Sequence, residues 1–140
     1  MHIIISILLT IAGGGPAGWE IFEDTRFKWQ YDETIGLEVE LPIFNKEIEA
    51  MDGKEVTLTG HYLPLDLDGN RIILSKFPYA QCFFCGGGVG QESVAEVEFS
   101  TVQRPFGMDE LVTVKGKLKL NVDDYEHLVF MIQDAKVIQL

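Results

Sequence analysis

Two long alternating stretches, each broken by a glycine near its middle, constrain this chain more than any other feature. Residues 54–64 read KEVTLTGHYLP and residues 111–120 read LVTVKGKLKL. Apolar and polar residues alternate with period two, the pattern of a strand with one dry face and one wet face. A glycine inside a strand weakens it, so it marks a bulge, a sharp bend or a close approach of other atoms. Two such strands, with Gly60 and Gly116 at their bends, describe a sheet that coils and closes on itself. Shorter strands are expected over residues 71–77, 96–101, 128–131 and 135–140. Asp68-Gly69-Asn70 supplies the turn of a hairpin. The expected fold is therefore mainly β: a small OB-like barrel of five or six strands.

Residues 18–51 precede that barrel and read as an N-terminal layer, part β and part irregular, packed on it. Phe27, Trp29 and Tyr31 alternate, as do Leu37, Val39 and Leu41, with Glu38 and Glu40 on the wet face. Pro42 ends or edges the second of these strands. Residues 45–51 suit a short helix before the Asp52-Gly53 turn. Trp29, Tyr31 and Phe99 are expected in the core, where aromatic rings contribute most by packing. With 140 residues, no internal repeat and no linker, residues 18–140 form a single domain.

Residues 2–12, HIIISILLTIA, have the length of a signal-peptide apolar region and fall short of the roughly 20 residues a spanning helix needs. Glycines and Pro16 follow, and Gly15 and Ala17 are small residues suited to cleavage after Ala17. Residues 1–17 are accordingly expected to be a signal peptide. The segment lacks the usual Lys or Arg before its apolar run, and its β-branched stretch from Ile3 to Ile7 also suits a buried first strand. No cysteine follows it to carry a lipid, so no stable membrane anchor is expected after cleavage. The expected location is the periplasm or beyond, where disulfides persist.

Cys82-Phe83-Phe84-Cys85, followed by Gly86 and Gly87, is the stretch most suggestive of chemistry. A Cys-x-x-Cys-Gly turn suits a metal knuckle, but two thiolates make half of a tetrahedral site. His61 is the best third ligand, because the 71–77 hairpin returns the chain toward it; His127 sits in an acidic connection, and His2 would be lost on cleavage. Zinc or another transition metal would be the cofactor. A redox pair is a second reading, although no Lys or Arg lies in the loop to favour a thiolate. A Cys82–Cys85 disulfide, or burial of both thiols as small hydrophobes, are the structural readings. The glycine run lacks the Gly-Lys-Ser/Thr ending of a phosphate loop, and no strand–loop–helix unit surrounds it. Residues 123–127, DDYEH, lack the spacing of a calcium loop and read as a solvated connection.

The run DGKEVTLTGHYLPL over residues 52–65, the apolar return strand from Arg71, and a cysteine loop after Pro78 resemble the DUF3299 group of exported bacterial proteins. Trp19 also fits the opening of that group, and the likeness spans residues 19–101. It implies an exported OB-like domain and assigns no biochemical role. The loop departs from that group after Cys85, where three glycines stand in place of a histidine and a proline run.

Charge narrows the rest. With 22 acidic residues against 11 basic, the net charge is −11, which repels a phosphate backbone and disfavours nucleic acid as a partner. No serine–histidine–acid arrangement supports catalysis. The expectation is a binding or accessory module, with a protein or a metal ion as partner and the cysteine loop as the first place to look. A thiol–disulfide redox protein, or an interaction domain with structural cysteines, is the alternative.

Overall fold

A computed structural model describes residues 15–65, 67, 70–86 and 88–139. The apolar run 2–12, most of the 68–70 turn and Gly87 lie outside the described residues. The elements run in the order α1 (Glu20–Glu23), β1 (Arg26–Asp32), β2 (Leu37–Ile43), α2 (Lys46–Met51), β3 (Glu55–Leu63), β4 (Arg71–Ser75), β5 (Val94–Phe99), β6 (Leu111–Leu120) and β7 (Phe130–Val137). The last five close into a barrel in the order β3-β4-β5-β7-β6. Every neighbouring pair is antiparallel except β5 and β7, which run parallel. This is the OB-like barrel that the two long strands predict. Among the described residues no helix is long and apolar enough to cross a membrane.

The two glycines serve different purposes. Strand β3 pairs with β6 from Glu55 to His61 and with β4 from His61 to Leu63, so it leaves one neighbour for the other at His61. Its register past Gly60 is unbroken, and no bulge exists there. A Cβ on Gly60 would lie 2.8 Å from Cζ2 of Trp19 and 2.9 Å from the Ser75 carbonyl oxygen. Gly60 is therefore the gap into which Trp19 fits. Gly116 does mark a bulge: the β6–β7 register shifts between Lys115 and Lys117. Opposite it, β7 kinks at Asp134, whose φ of 51° is left-handed. Where the sequence reads as two strands, over 128–131 and 135–140, a single kinked strand, Phe130–Val137, joins the two.

The N-terminal layer divides into two parts with different fates. Ala17 bridges Thr59, and Trp19 donates its Nε1–H to the Thr59 carbonyl at 2.8 Å. Trp19, Phe22 and Ile48 are buried with the barrel core, and Phe22 stacks on Phe130 at 4.2 Å between centroids. Asn45 caps α2 by accepting the Ile48 N–H at 2.9 Å. The helices α1 and α2 thus plug one end of the barrel. The β1–β2 hairpin instead forms its own two-stranded sheet. Trp29 is 68% exposed and Tyr31 58%, against 4% for Phe99. The expectation of a core role fails for both hairpin aromatics, because among the described residues no further layer covers the face they share.

Outside the barrel wall a second, smaller core gathers Leu63, Ile73, Val94 and Cys82, with Leu65, Leu67, Phe83 and Leu128 around them. It fastens the cysteine loop, through Cys82 and Phe83, over the outer face of β4 and β5. That cover explains why β5 is almost wholly buried and does not alternate.

Candidate functional site

The cysteine segment holds three one-turn 3₁₀ helices, Tyr79–Gln81, Phe83–Cys85 and Gln91–Ser93. Cys82 sits between the first two with its side chain fully buried, and Cys85 is exposed. Their Sγ atoms lie 2.6 Å apart. Two thiolates on one tetrahedral zinc, each about 2.3 Å from the metal, stand ~3.8 Å apart, so the pair as folded is too close to share one. His61 is half-buried, with Nδ1 3.0 Å from the Asp109 carbonyl oxygen. The Asp109 carboxylate in turn accepts the Tyr79 N–H at 2.7 Å. His61 and the cysteine loop therefore both reach Asp109. Among the described residues, however, no three His, Cys, Asp or Glu side chains converge into a set able to hold a metal. The ligand set Cys82, Cys85 and His61 is not assembled.

The thiol chemistry points the same way. The contact with the Cys82 thiol, then partial desolvation, then the charges of Cys82 and Asp109 push the Cys85 thiol above its usual range. A raised pKa leaves less thiolate, the reactive form. Cys85 also lies at the C-terminal end of its helical turn, where the backbone dipole opposes negative charge. A reactive pair wants the reverse: an exposed first cysteine in a site that favours anions.

A polar cluster lies nearby that the residue spacing did not reveal. Glu96 points outward from β5 yet is 4% exposed, with Arg71, His127 and Leu128 bonded around its carboxylate. Its Oε1 accepts from Arg71 Nη1 at 2.8 Å and lies 2.9 Å from His127 Nδ1; its Oε2 accepts the Leu128 N–H at 3.0 Å. His127 Nδ1 is also 2.9 Å from Arg71 Nη1, and its tautomer decides which of the two it bonds. The buried amide of Asn121 donates to the carbonyls of Asp124, His127 and Leu128. Residues 122–126 are exposed, as a solvated connection should be, but His127 is folded inward. The signal was an acidic residue inside the apolar run VAEVEF; its partners, 25 and 31 residues away along the chain, left no local trace.

Between this connection and the β1–β2 hairpin runs a groove of about 340 Å³. Glu38, Glu40 and Asp124 line it, together with Trp29, Tyr125 and His127 and an apolar set that includes Leu41 and Val122. Phe83 of the cysteine loop also lines it, and Gln91 donates to Glu40 at 3.3 Å. Tyr125 donates its hydroxyl to Asp32 at 2.7 Å, tying the hairpin to the opposite wall. That bond, followed by the Thr34 N–H, holds the Asp32 carboxyl below its usual range and raises the Tyr125 phenol. Three carboxylates beside two exposed aromatic rings suit a cationic group: the carboxylates bond it and the ring faces attract it. No family model matches the chain, and neither does any curated protein or solved structure.

Proposed function

We propose that the protein is a non-enzymatic OB-like binding module that holds a basic segment of a partner protein in the groove between the β1–β2 hairpin and residues 121–128. The observation that carries this reading is the grouping of Glu38, Glu40 and Asp124 around one groove with Trp29 and Tyr125 at its sides. The net charge of −11 supports it, since an acidic surface speeds the approach of a basic partner. In this reading Cys82 and Cys85 are architecture: Cys82 anchors the loop that lines the groove, and the pair is placed to oxidise wherever disulfides persist. The apolar run 2–12, with small residues at positions 15 and 17, supports delivery to such a compartment.

Isothermal titration calorimetry with a synthetic lysine-rich peptide, and with a glutamate-rich peptide of equal length, tests the reading. The basic peptide is expected to bind. Its affinity should fall as salt shortens the screening length from about 30 Å at 0.01 M to about 8 Å at 0.15 M. The variant Glu38→Gln/Glu40→Gln/Asp124→Asn should lose binding. Glu47→Gln/Glu49→Gln, which removes exposed charge from α2, should bind as the parent does. Equal losses in the two variants, or no binding at low salt, would sink the proposal.

A further inference from the structure

Closing a barrel removes the free edges of its sheet, and among the described residues β1 and β2 are the strands left with a single neighbour each. An exposed edge is a row of unpaired backbone donors and acceptors, and its side chains decide what can pair with it. The β2 edge is poorly suited to a second copy of itself. Pro42 supplies no N–H, and two β2 strands paired about Glu40 would set that carboxylate against its own copy.

The β1 edge is different. Its sequence, Arg26-Phe-Lys-Trp29-Gln-Tyr-Asp32, is complementary to its own reversal. Laid antiparallel against a copy about a two-fold axis through Trp29, Arg26 faces Asp32 and Phe27 faces Tyr31. Lys28 then faces Gln30, and Trp29 faces Trp29. All seven residues find a partner, and an opposite-charge pair closes each end. The register with β2 places Phe27, Trp29 and Tyr31 on one face, opposite Pro42, Glu40 and Glu38. Pairing therefore brings the aromatic rings of both copies onto the same side of one sheet. Trp29 and Tyr31 are 68% and 58% exposed, and Arg26, Lys28 and Gln30 are exposed too. Asp32 already accepts from Tyr125 and from the Thr34 N–H, and a carboxylate has room for an arginine besides.

We infer that β1 is a self-association edge, through which two copies of this chain join antiparallel about Trp29 into one four-stranded sheet ordered β2-β1-β1-β2. The occupant is a second copy because the strand's charges and rings match their own reversed order, which a partner of unrelated sequence would not reproduce. The inference goes beyond the groove reading and does not depend on it. Seven paired residues per copy make a small contact, so the dimer forms at high protein concentration and dissociates on dilution.

Sedimentation velocity over a concentration series, with Gln30→Lys and Gln30→Glu, tests this. Each substitution acts twice about the axis, opposite Lys28 of the other copy. Two cross-strand charge pairs of this kind change the dimer constant by roughly two- to thirty-fold. Gln30→Glu should tighten the dimer and Gln30→Lys loosen it, with unchanged circular dichroism in both. In a Cys85→Ser background, Trp29→Cys should cross-link to its copy under mild oxidation, and Arg26→Cys should not. A monomer at every concentration overturns the inference. So does a dimer indifferent to the charge at position 30. Faster cross-linking through Gln30→Cys than through Trp29→Cys overturns it as well, because a strand slipped to pair about Gln30 leaves Arg26 without Asp32.

Discussion

Replacing Glu96 is the sharpest test of how the outer face of the barrel holds the wall of the groove. Glu96→Ala removes the carboxylate that accepts from Arg71 at 2.8 Å and from the Leu128 N–H at 3.0 Å, at a position 4% exposed. Removing one member of a buried charge pair costs about 3–5 kcal/mol where the other keeps no contact, and Arg71 keeps its contact with His127. The Arg71 side chain is 20% exposed, so water relieves part of that burden. The low end, about 3 kcal/mol, is the expected loss. Glu96→Gln keeps an acceptor for Leu128 and loses mainly the charge; a single hydrogen bond to a charged group is worth about 1.5–3 kcal/mol, of which Gln retains a part. The expected cost there is about 1 kcal/mol. Domains of this kind have about 5–15 kcal/mol in all, so urea unfolding followed by circular dichroism resolves both values. Amide exchange over residues 121–128 should quicken in Glu96→Ala more than in Glu96→Gln. If the two variants unfold together, or if Glu96→Ala costs less than about 1 kcal/mol, the carboxylate does not hold this wall.

Other expectations follow from single residues. Under reducing conditions Cys82→Ala should lower the urea midpoint clearly, since it empties the centre of the small outer core, while Cys85→Ala should stay within about 0.5 kcal/mol of the parent. Because the Cys85 thiol is raised, it should react with a disulfide reagent at pH 8 more slowly than a free cysteine, and the gap should close as the pH rises. The Asp32 carboxyl is lowered by Tyr125, so the bond between hairpin and connection is fully present above the ordinary carboxylate range, near 3.9, and is lost as pH falls through the lowered value. Carbon-detected titration should find the Asp32 midpoint below that range, and Tyr125→Phe should move it upward. Thr25 has a buried hydroxyl with no partner among the described residues, so Thr25→Val should raise stability by about 1 kcal/mol in chemical unfolding.

The sequence was most informative where structure is decided locally. The alternation of residues 111–120 delimits β6 to the residue, and Asn45 announces the start of α2. It was least informative where burial depends on what arrives from elsewhere. Alternation in β1 says that its two faces differ, but not whether anything covers the aromatic one; the hairpin stands off the barrel, so Trp29 and Tyr31 face water. Glu96 is the converse case. An acidic residue one place from an apolar one looks wet, yet Arg71 of β4 and His127 and Leu128 of the connection gather around it. At the cysteine pair, local shape suggested a metal knuckle. Only the packing showed that one thiol belongs to a core and that His61 sets its Nδ1 against the Asp109 carbonyl.

The position of β7 has a consequence for the order of events in folding. In chain order it is last, yet in the sheet it lies between β5 and β6, parallel to one and antiparallel to the other. Until it is in place, β5 and β6 have no common neighbour and the barrel stands open. The plug shares the delay, because Phe22 stacks on Phe130 from the far end of the chain. Closure thus waits on the non-local pairing of β5 with β7, and the plug on a contact longer still; such contacts form slowly. The barrel therefore cannot close until residues 130–137 are available, whatever has formed before them.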